Sequence, residues 1–326
     1  MPRTVLLTGA AGFIGSHAAV ALAARGDRVV GIDNFNAYYD PRRKRANVDE
    51  IAVEAPDADF RLVEGDLRDK PLVERLFAEH RFDVVVHLAA MAGVRASADD
   101  PVTYYDVNLG GTLTLLEAAR AHGGSRFVFA STSSAYGSTT RLPFREDDPA
   151  DRPLAPYPAS KRAAELLGHA YHHLHGTRFT ALRFFTVYGP RGRPDMLTYK
   201  LVDAIRTGVP ITLYDGGRMT RDWTFVSDTV AGIVAATEAD LGYEIVNLGR
   251  GEPVLVSEFI AEFERITGRK VPWKEAPKPE ADVEKTHADI DKARRLFGYA
   301  PHVGIEEGAR RTIEWYERAV GKITTG

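Results

Sequence analysis

Tyr157-Pro-Ala-Ser-Lys161 sets a phenol and an ammonium four residues apart, one turn along the same face of a helix. A free phenol has a pKa of about 10 and is a poor base near neutrality, but adjacent cations favour its anion. Lowering that pKa by about three units takes roughly 4 kcal/mol of differential stabilisation, within reach of two cations in a water-poor cleft. The tyrosine then becomes a usable proton shuttle. A hydroxyl cluster, Ser131-Thr132-Ser133-Ser134, stands at the end of an apolar run and supplies further hydrogen-bonding groups.

Short β-branched or aromatic runs must position these groups. Thr4–Thr8, Arg28–Ile32, Phe60–Val63, Asp83–His87 and Arg126–Ala130 read as strands buried on both faces. Between them Phe13–Arg25, Lys70–Glu79 and Asn108–Ala121 have the length and Ala/Leu content of crossover helices. The fold class that follows is α/β, a doubly wound parallel sheet, with a smaller, mixed C-terminal substrate domain. Turn clusters after Phe185 open that second unit, and the helical 226–236 and strand-like 243–248 return the chain to the first. The expected division is 1–185 plus about 224–256 for a dinucleotide, and about 186–223 plus 257–326 for the substrate. Pro272–Pro279 reads as a surface loop.

The first strand runs directly into Gly9-Ala-Ala-Gly12-Phe13-Ile14-Gly15 and then an Ala-rich helix. Glycines there allow a tight turn and let backbone N–H groups approach a pyrophosphate at the positive end of the helix. Asp33 ends the second strand, where a carboxylate binds the adenosine ribose hydroxyls and repels a 2′-phosphate, so NAD is expected rather than NADP. Arg42-Arg43-Lys44-Arg45 is the one feature that could accept a 2′-phosphate, and it reads instead as a solvated charged face. Gly65-Asp66-Leu67 follows the third strand, where a carboxylate accepts the adenine amino group or caps a helix. His87-Leu88-Ala89-Ala90 follows the fourth, with small residues against which a cofactor lies flat and a histidine that reads as packed core. Asn34, Asn108 and Ser131 complete the expected cofactor contacts.

The chain has 326 residues, 44% of them hydrophobic, which suits about two folded domains. Its formal charge of −3 argues against a nucleic-acid or acidic-membrane partner. With no cysteine there is no disulfide or thiolate chemistry, and a cytoplasmic protein is expected. Thr8, Gly9, Gly12, Ser16 and His17 interrupt what would otherwise pass for a signal peptide, and no uncharged apolar run approaches the roughly 18 residues of a membrane helix.

These motifs resemble the extended short-chain dehydrogenase/reductase family, and within it the nucleotide-sugar epimerases, over essentially the whole chain. Four segments are similar to the UDP-glucuronate 4-epimerase subgroup: Asp33-Asn-Phe-Asn-Ala-Tyr-Tyr-Asp40, Ala92-Gly-Val-Arg95, Ala130-Ser-Thr-Ser-Ser-Ala-Tyr-Gly137 and Leu182-Arg-Phe-Phe-Thr-Val-Tyr-Gly-Pro-Arg-Gly-Arg-Pro-Asp195. The resemblance implies Tyr157 as the base, Lys161 on the nicotinamide ribose, Thr132 on the sugar O4 and Arg221 on the diphosphate. Arg95, Ser133, Ser134, Thr186 and Arg193 are the further candidates for a UDP-sugar. Met91 and Arg191 depart from the subgroup's usual Gln and Trp, which puts the form of the sugar pocket in question. No second diphosphate arginine is evident, and Lys278 reads as an exposed loop lysine.

Dehydratases and decarboxylases of this family carry carboxylates beside the threonine, whereas this chain has Thr132-Ser133-Ser134 and favours simple removal and return of hydride. If the substrate is a uronic acid, oxidation at C4 makes a β-keto acid, and the enzyme must restrain the carboxylate from leaving as CO2. Arg193 offers a planar fork for it and Thr186 a hydroxyl. The alternatives are a UDP-glucose 4-epimerase, a UDP-glucuronate decarboxylase and, from another class, a non-catalytic nucleotide-sensing regulator, which would ordinarily have lost the tyrosine or the lysine. His169, His172, His173 and His175 read as a partly exposed helix end rather than a zinc site, so no metal is expected. Helices 108–121 and 159–171 carry Ala/Leu-rich faces, and the resemblance implies a homodimer through them.

Overall fold

The structure, a computed structural model, describes residues 2–139 and 141–323; residue 1 and residues 324–326, the outer ends of the expected domains, lie outside the described residues. In chain order the strands are β1 (Thr4–Thr8), β2 (Arg28–Asp33), β3 (Phe60–Glu64), β4 (Val84–His87), β5 (Arg126–Thr132), β6 (Phe179–Phe184), β7 (Thr186–Tyr188), β8 (Ile211–Tyr214), β9 (Thr220–Phe225), β10 (Tyr243–Leu248), β11 (Pro253–Leu255) and β12 (Trp273–Ala276). The helices are α1 (Phe13–Ala24), α2 (Pro41–Glu54), α3 (Lys70–His80), α4 (Pro101–Tyr105), α5 (Gly111–Ala121), α6 (Pro156–His175), α7 (Leu197–Thr207), α8 (Val226–Glu238), α9 (Val256–Thr267), α10 (Asp291–Phe297) and α11 (Ile305–Ile323).

Seven strands form one parallel sheet in the order β10-β6-β5-β4-β1-β2-β3. Successive strand residues go to opposite faces. Val5 and Leu7 join Val29, Val84, Val86 and Val128 in the core shared with α1 and α8. Leu6 joins Val30, Ile32, Val85, Phe127 and Phe129 in the core shared with α3 and α5. Each such side chain contributes about 1.5–3 kcal/mol when fully buried, so both faces must be covered. That requirement explains why β1, β2, β4 and β5 read as unbroken apolar runs rather than alternating ones, whereas β3, at the sheet edge, is only partly buried and not covered on both faces as expected.

β1 lies between β2 and β4, so strand order reverses there and a crevice opens above the carboxyl ends of these strands. β5 continues two residues past Ala130, which makes Ser131 and Thr132 the last rungs of the strand and carries both to that edge. The helix expected from Asn108 starts with one π-helical turn, Asp106–Gly110, before α5.

The smaller layer holds a three-stranded sheet, β11-β9-β7, and a pair, β12-β8. Pro272–Pro279 is not simply a loop: Trp273–Ala276 pairs in parallel with Ile211–Tyr214. Trp273, Lys274 and Glu275 are all exposed, so this edge strand lacks the apolar alternation that marks a buried one. Among the described residues no helix is long and apolar enough to cross a membrane.

Candidate active site

Gly9 turns the chain out of β1 with φ +71°, and a Cβ there would lie 2.8 Å from the Ala89 backbone nitrogen. Glycine therefore meets both the left-handed backbone and the close approach of the chain after β4. Gly12 begins α1 with no side-chain cap, which leaves the first N–H groups of the helix free to face an anion. Asp33 is buried at the end of β2 and accepts hydrogen bonds from the backbone N–H groups of Ala11 (3.2 Å) and Phe35 (2.8 Å).

Gly9, Gly12, Phe13, Ile14, Gly15, Asp33, Asn34, Asp66, Leu67, Leu88, Ala89, Ala90, Ser131, Tyr157 and Lys161 all line one crevice, together with Met91 and Arg193. Asn108, expected among the cofactor contacts, is buried beside the crevice: its amide accepts from Met91 N–H (2.8 Å) and donates to the Met91 carbonyl and Ser160 Oγ (both 3.0 Å). It braces the residues that flank the crevice. Asp66 accepts from Asn34 Nδ2 (2.9 Å) and from Arg68, whose guanidinium holds its carboxyl well below the usual carboxylate range. It does not cap α3; Asp69 does, accepting from Leu72 N–H at 3.1 Å.

The basic run is a solvated face only in part, for Arg42 and Arg45 are exposed. Lys44 is buried, and its Nζ donates to Asp33 Oδ1 at 3.1 Å. Arg43 lies over the Tyr199 ring and Arg45 over Phe35. The helix brings Lys44 back over β2, a contact that the run's composition alone does not reveal.

Tyr157 sits near the start of α6 with the Thr132 hydroxyl beside it. Burial outweighs the pull of Arg193 and of the Thr132 hydrogen bond, so in the chain alone the phenol's pKa is raised rather than lowered. The expected lowering by Lys161 is not what this chain provides by itself: the cation acting on the phenol is Arg193. Lys161 is buried with Nζ 4.0 Å from the Phe129 ring centroid and, among the described residues, without a hydrogen-bond partner. Burial pushes its pKa down to about 7, with Glu165 opposing the change.

Arg193 forms a fork with Asp195 (2.9 and 2.8 Å), and its guanidinium stands 5.9 Å from the Tyr38 ring centroid. Tyr38 hydrogen-bonds to Tyr104, whose ring meets Tyr157 edge-on at 6.2 Å. A second hollow is lined by Thr132, Ser133, Ser134, Thr186 and Arg221, and it shares Phe184 with the first. Arg95 and Arg221 converge there on Asp282, at 2.6 and 3.9 Å. Lys278 is the exposed loop lysine expected, and its Nζ donates to the Asp282 carbonyl at 3.0 Å. Asp282 thus sets Arg95 and Arg221, far apart in sequence, beside each other.

Two departures noted in the sequence resolve differently. Met91 lines the crevice. Arg191 points away from it and is buried against Glu50 and Glu54 of α2. His87 is a packed core histidine between Thr8 (2.7 Å) and Thr112 (3.0 Å), and burial holds its pKa well below 6.5. In the histidine run, His172 Nδ1 lies 2.9 Å from the Thr177 carbonyl and His169 meets Tyr243 edge-on.

One buried pair escaped sequence reasoning altogether. Glu165 and Arg183 are each 0% exposed and joined by two hydrogen bonds of 2.9 and 2.8 Å, and Ser131 Oγ donates to the same carboxylate at 2.5 Å. The available signals were an arginine inside the apolar run of β6, which demands a partner, and a glutamate one turn beyond Lys161.

A glycine turn at a strand-order reversal, a buried carboxylate after β2 and a Tyr/Lys pair on one helix thus line one crevice beside a hydroxyl-rich hollow. Residues 5–249 match the family model described as the NAD dependent epimerase/dehydratase family. The chain belongs to the NAD dependent epimerase/dehydratase family. Within this epimerase/dehydratase family it is 40% identical to the UDP-glucuronate 4-epimerase of Thermodesulfobacterium geofontis, across 98% of this chain and 97% of that one. Its fold is similar to that of the UDP-glucuronic acid 4-epimerase of Bacillus cereus in complex with UDP-glucuronic acid and NAD (TM-score 0.90, 34% identity, 97% and 99% of the two chains). It is also similar to the UDP-glucose 4-epimerase of Thermotoga maritima with UDP-glucose (TM-score 0.89, 30% identity, 97% and 99%).

Proposed function

We propose that this chain is an NAD-dependent UDP-sugar 4-epimerase that interconverts UDP-glucuronate and UDP-galacturonate through a 4-keto intermediate. The observation that carries the reading is the meeting of Tyr157, Thr132 and Arg193 at the junction of the two hollows, with no carboxylate next to Thr132. The cradle fits NAD on two counts: Gly9 leaves no room for a Cβ, and Lys161 Nζ is buried with no partner among the described residues. Gly9, Gly12 and the first turn of α1 would hold the pyrophosphate, Asp33 and Lys44 the adenosine ribose, Asp66 and Leu67 the adenine, and Lys161 and Ser131 the nicotinamide ribose. When bound, NAD supplies the two-electron acceptor and donor for C4.

In this mechanism the chain's own groups move the proton and hold the sugar. Thr132 hydrogen-bonds O4, and Tyr157 takes the O4 proton and later returns it. Lys161 becomes fully charged where ribose hydroxyls replace its apolar surroundings, and with Arg193 it favours the phenolate. Arg95 and Arg221 hold the diphosphate after it displaces the Asp282 carboxylate. The 4-keto sugar turns over about that fixed anchor. Loss of CO2 is fastest when the carboxylate bond lies along the carbonyl π system, so a fork from Arg193 with hydroxyls from Ser133, Ser134 and Thr186 keeps it out of that alignment.

The domain division given above serves this chemistry, with the dinucleotide on the large sheet and the sugar under the smaller layer. The family resemblance and the exposed Val102, Leu113 and Leu166 on α4, α5 and α6 support a homodimer, and the composition supports a cytoplasmic protein with no nucleic-acid or membrane partner. Incubating the purified chain with NAD and UDP-glucuronate tests the function, with products resolved by chromatography beside UDP-glucose and UDP-N-acetylglucosamine. UDP-galacturonate is expected. A UDP-pentose would instead establish a decarboxylase, conversion of UDP-glucose alone a UDP-glucose epimerase, and no product a binding protein.

A further inference from the structure

Arg191 occupies the third position of the turn Gly189-Pro190-Arg191-Gly192 with φ +61°. That left-handed conformation suits glycine, and a residue with a Cβ gives up about 1–2 kcal/mol to adopt it, so something else must hold the turn. The side chain is 1% exposed. Its Nε donates to Glu50 Oε2 at 2.7 Å, and its Nη2 is paired with Glu54 one turn further along α2. Glu50 in turn accepts from Trp315 Nε1 of α11 at 3.1 Å. One residue earlier, the Pro190 carbonyl is met by His17 Nε2 of α1 at 3.0 Å.

Helices α1 and α2 therefore grip a turn that has no regular structure of its own, and α11 braces Glu50 of α2. Two residues past Arg191, Arg193 faces the opposite way, into the crevice, where its charge acts on the Tyr157 phenol. Five residues before Arg191, Thr186 lines the second hollow. A shift of the turn against α2 moves both.

We infer that Arg191 is a positioning residue: its ion pairs with Glu50 and Glu54 fix the 189–192 turn so that Arg193 meets the phenol and the sugar's carboxylate. The carboxylate part rests on the substrate reading given above; the placement of Arg193 at Tyr157 does not. Misplacement of a catalytic contact by about 1 Å costs on the order of 100-fold in rate. A loosened Arg193 also releases the carboxylate. Loss of CO2 from the 4-keto uronate then leaves the C5–C6 electron pair as an enolate, which takes a proton at C5; C4 takes back the hydride removed from it at the outset, O4 takes its proton from Tyr157, and the product is a pentose.

The test compares wild type, Arg191→Lys, Arg191→Gln and the paired change Glu50→Gln with Glu54→Gln. Each is assayed with UDP-glucuronate and with UDP-glucose, and wild type and Arg191→Gln are crystallised with NAD. Arg191→Gln is expected to lose about 10- to 100-fold in kcat/KM on UDP-glucuronate, to release some UDP-pentose, and to stay within about 3-fold on UDP-glucose, with Arg191→Lys between. In its crystal structure Arg193 leaves Tyr157. The paired glutamine variant gives the same pattern and serves if Arg191→Gln does not fold. An unmoved Arg193 would overturn the inference, and equal losses on both sugars with Arg193 moved would overturn its carboxylate part. Failure of wild type to convert UDP-glucuronate would refute the substrate reading alone, because the crystal comparison still decides what Arg191 does.

Discussion

Lys161 and Arg183 are buried cations that flank the same glutamate, and the fold treats them in opposite ways. Arg183 Nε and Nη2 both bond to Glu165, and its guanidinium lies 4.5 Å from the Tyr136 ring centroid. Lys161 has an aromatic face at 4.0 Å and, among the described residues, no hydrogen bond. A desolvated charge with its partner in place belongs to the scaffold. A desolvated charge without one destabilises the chain and keeps its donors for something that arrives later. The two sites thus separate what holds α6 to the sheet from what α6 does.

Breaking the Arg183 side should have the largest effect. Glu165→Gln leaves an arginine buried without its counter-charge and is expected to cost about 3–5 kcal/mol in urea unfolding. Replacing both, Glu165→Leu with Arg183→Met, should recover most of that. A cost below about 1 kcal/mol for the single change would remove the distinction.

Lys161→Met should do the reverse and stabilise the ligand-free chain while turnover is lost. The folded lysine has a pKa of about 7 against 10.5 for the free side chain, so the unfolded chain binds the extra proton between these values. Wild type therefore loses stability relative to the methionine variant as pH falls from about 10.5 to about 7, and the gap then levels off. A gap that does not widen over that window would show that Lys161 is satisfied after all.

Arg193 stands between the two kinds: it is paired with Asp195 in the resting chain yet faces the pocket. Arg193→Ala is expected to lower kcat/KM on UDP-glucuronate by about 100-fold and on UDP-glucose by less than about 10-fold. Equal losses would remove its role on the carboxylate. The smallest effect belongs to His17, whose pKa burial and the Arg191 charge lower to about 3. The unfolded chain gains a proton there as pH falls from about 6.5 to about 3 and the folded chain does not, so stability drops through that window. His17→Asn should flatten part of that drop in thermal unfolding.

How much was legible follows from the same contrast. The sheet was readable because burial on both faces writes continuous apolar runs into β1, β2, β4 and β5, and the glycine turn because its backbone tolerates nothing else. Tyr157 and Lys161 were readable because four residues span one helical turn. Lys44 on Asp33, Arg183 on Glu165 and Arg95 beside Arg221 were not, since each contact joins different elements and no periodicity records which ones meet. Arg191 misled because its neighbours in sequence line the pocket; its left-handed backbone turns it the other way. Trp273–Ala276 was missed because an exposed edge strand carries no apolar alternation.

The central claim is that the Tyr157 phenol carries the O4 proton in a cycle that neither gains nor loses electrons overall. Tyr157→Phe, loaded with NAD and given UDP-glucuronate, tests it most directly. The account predicts that NAD and the sugar nucleotide still bind and that epimerisation falls by at least about 1,000-fold. Substantial UDP-galacturonate formation by that variant would contradict it.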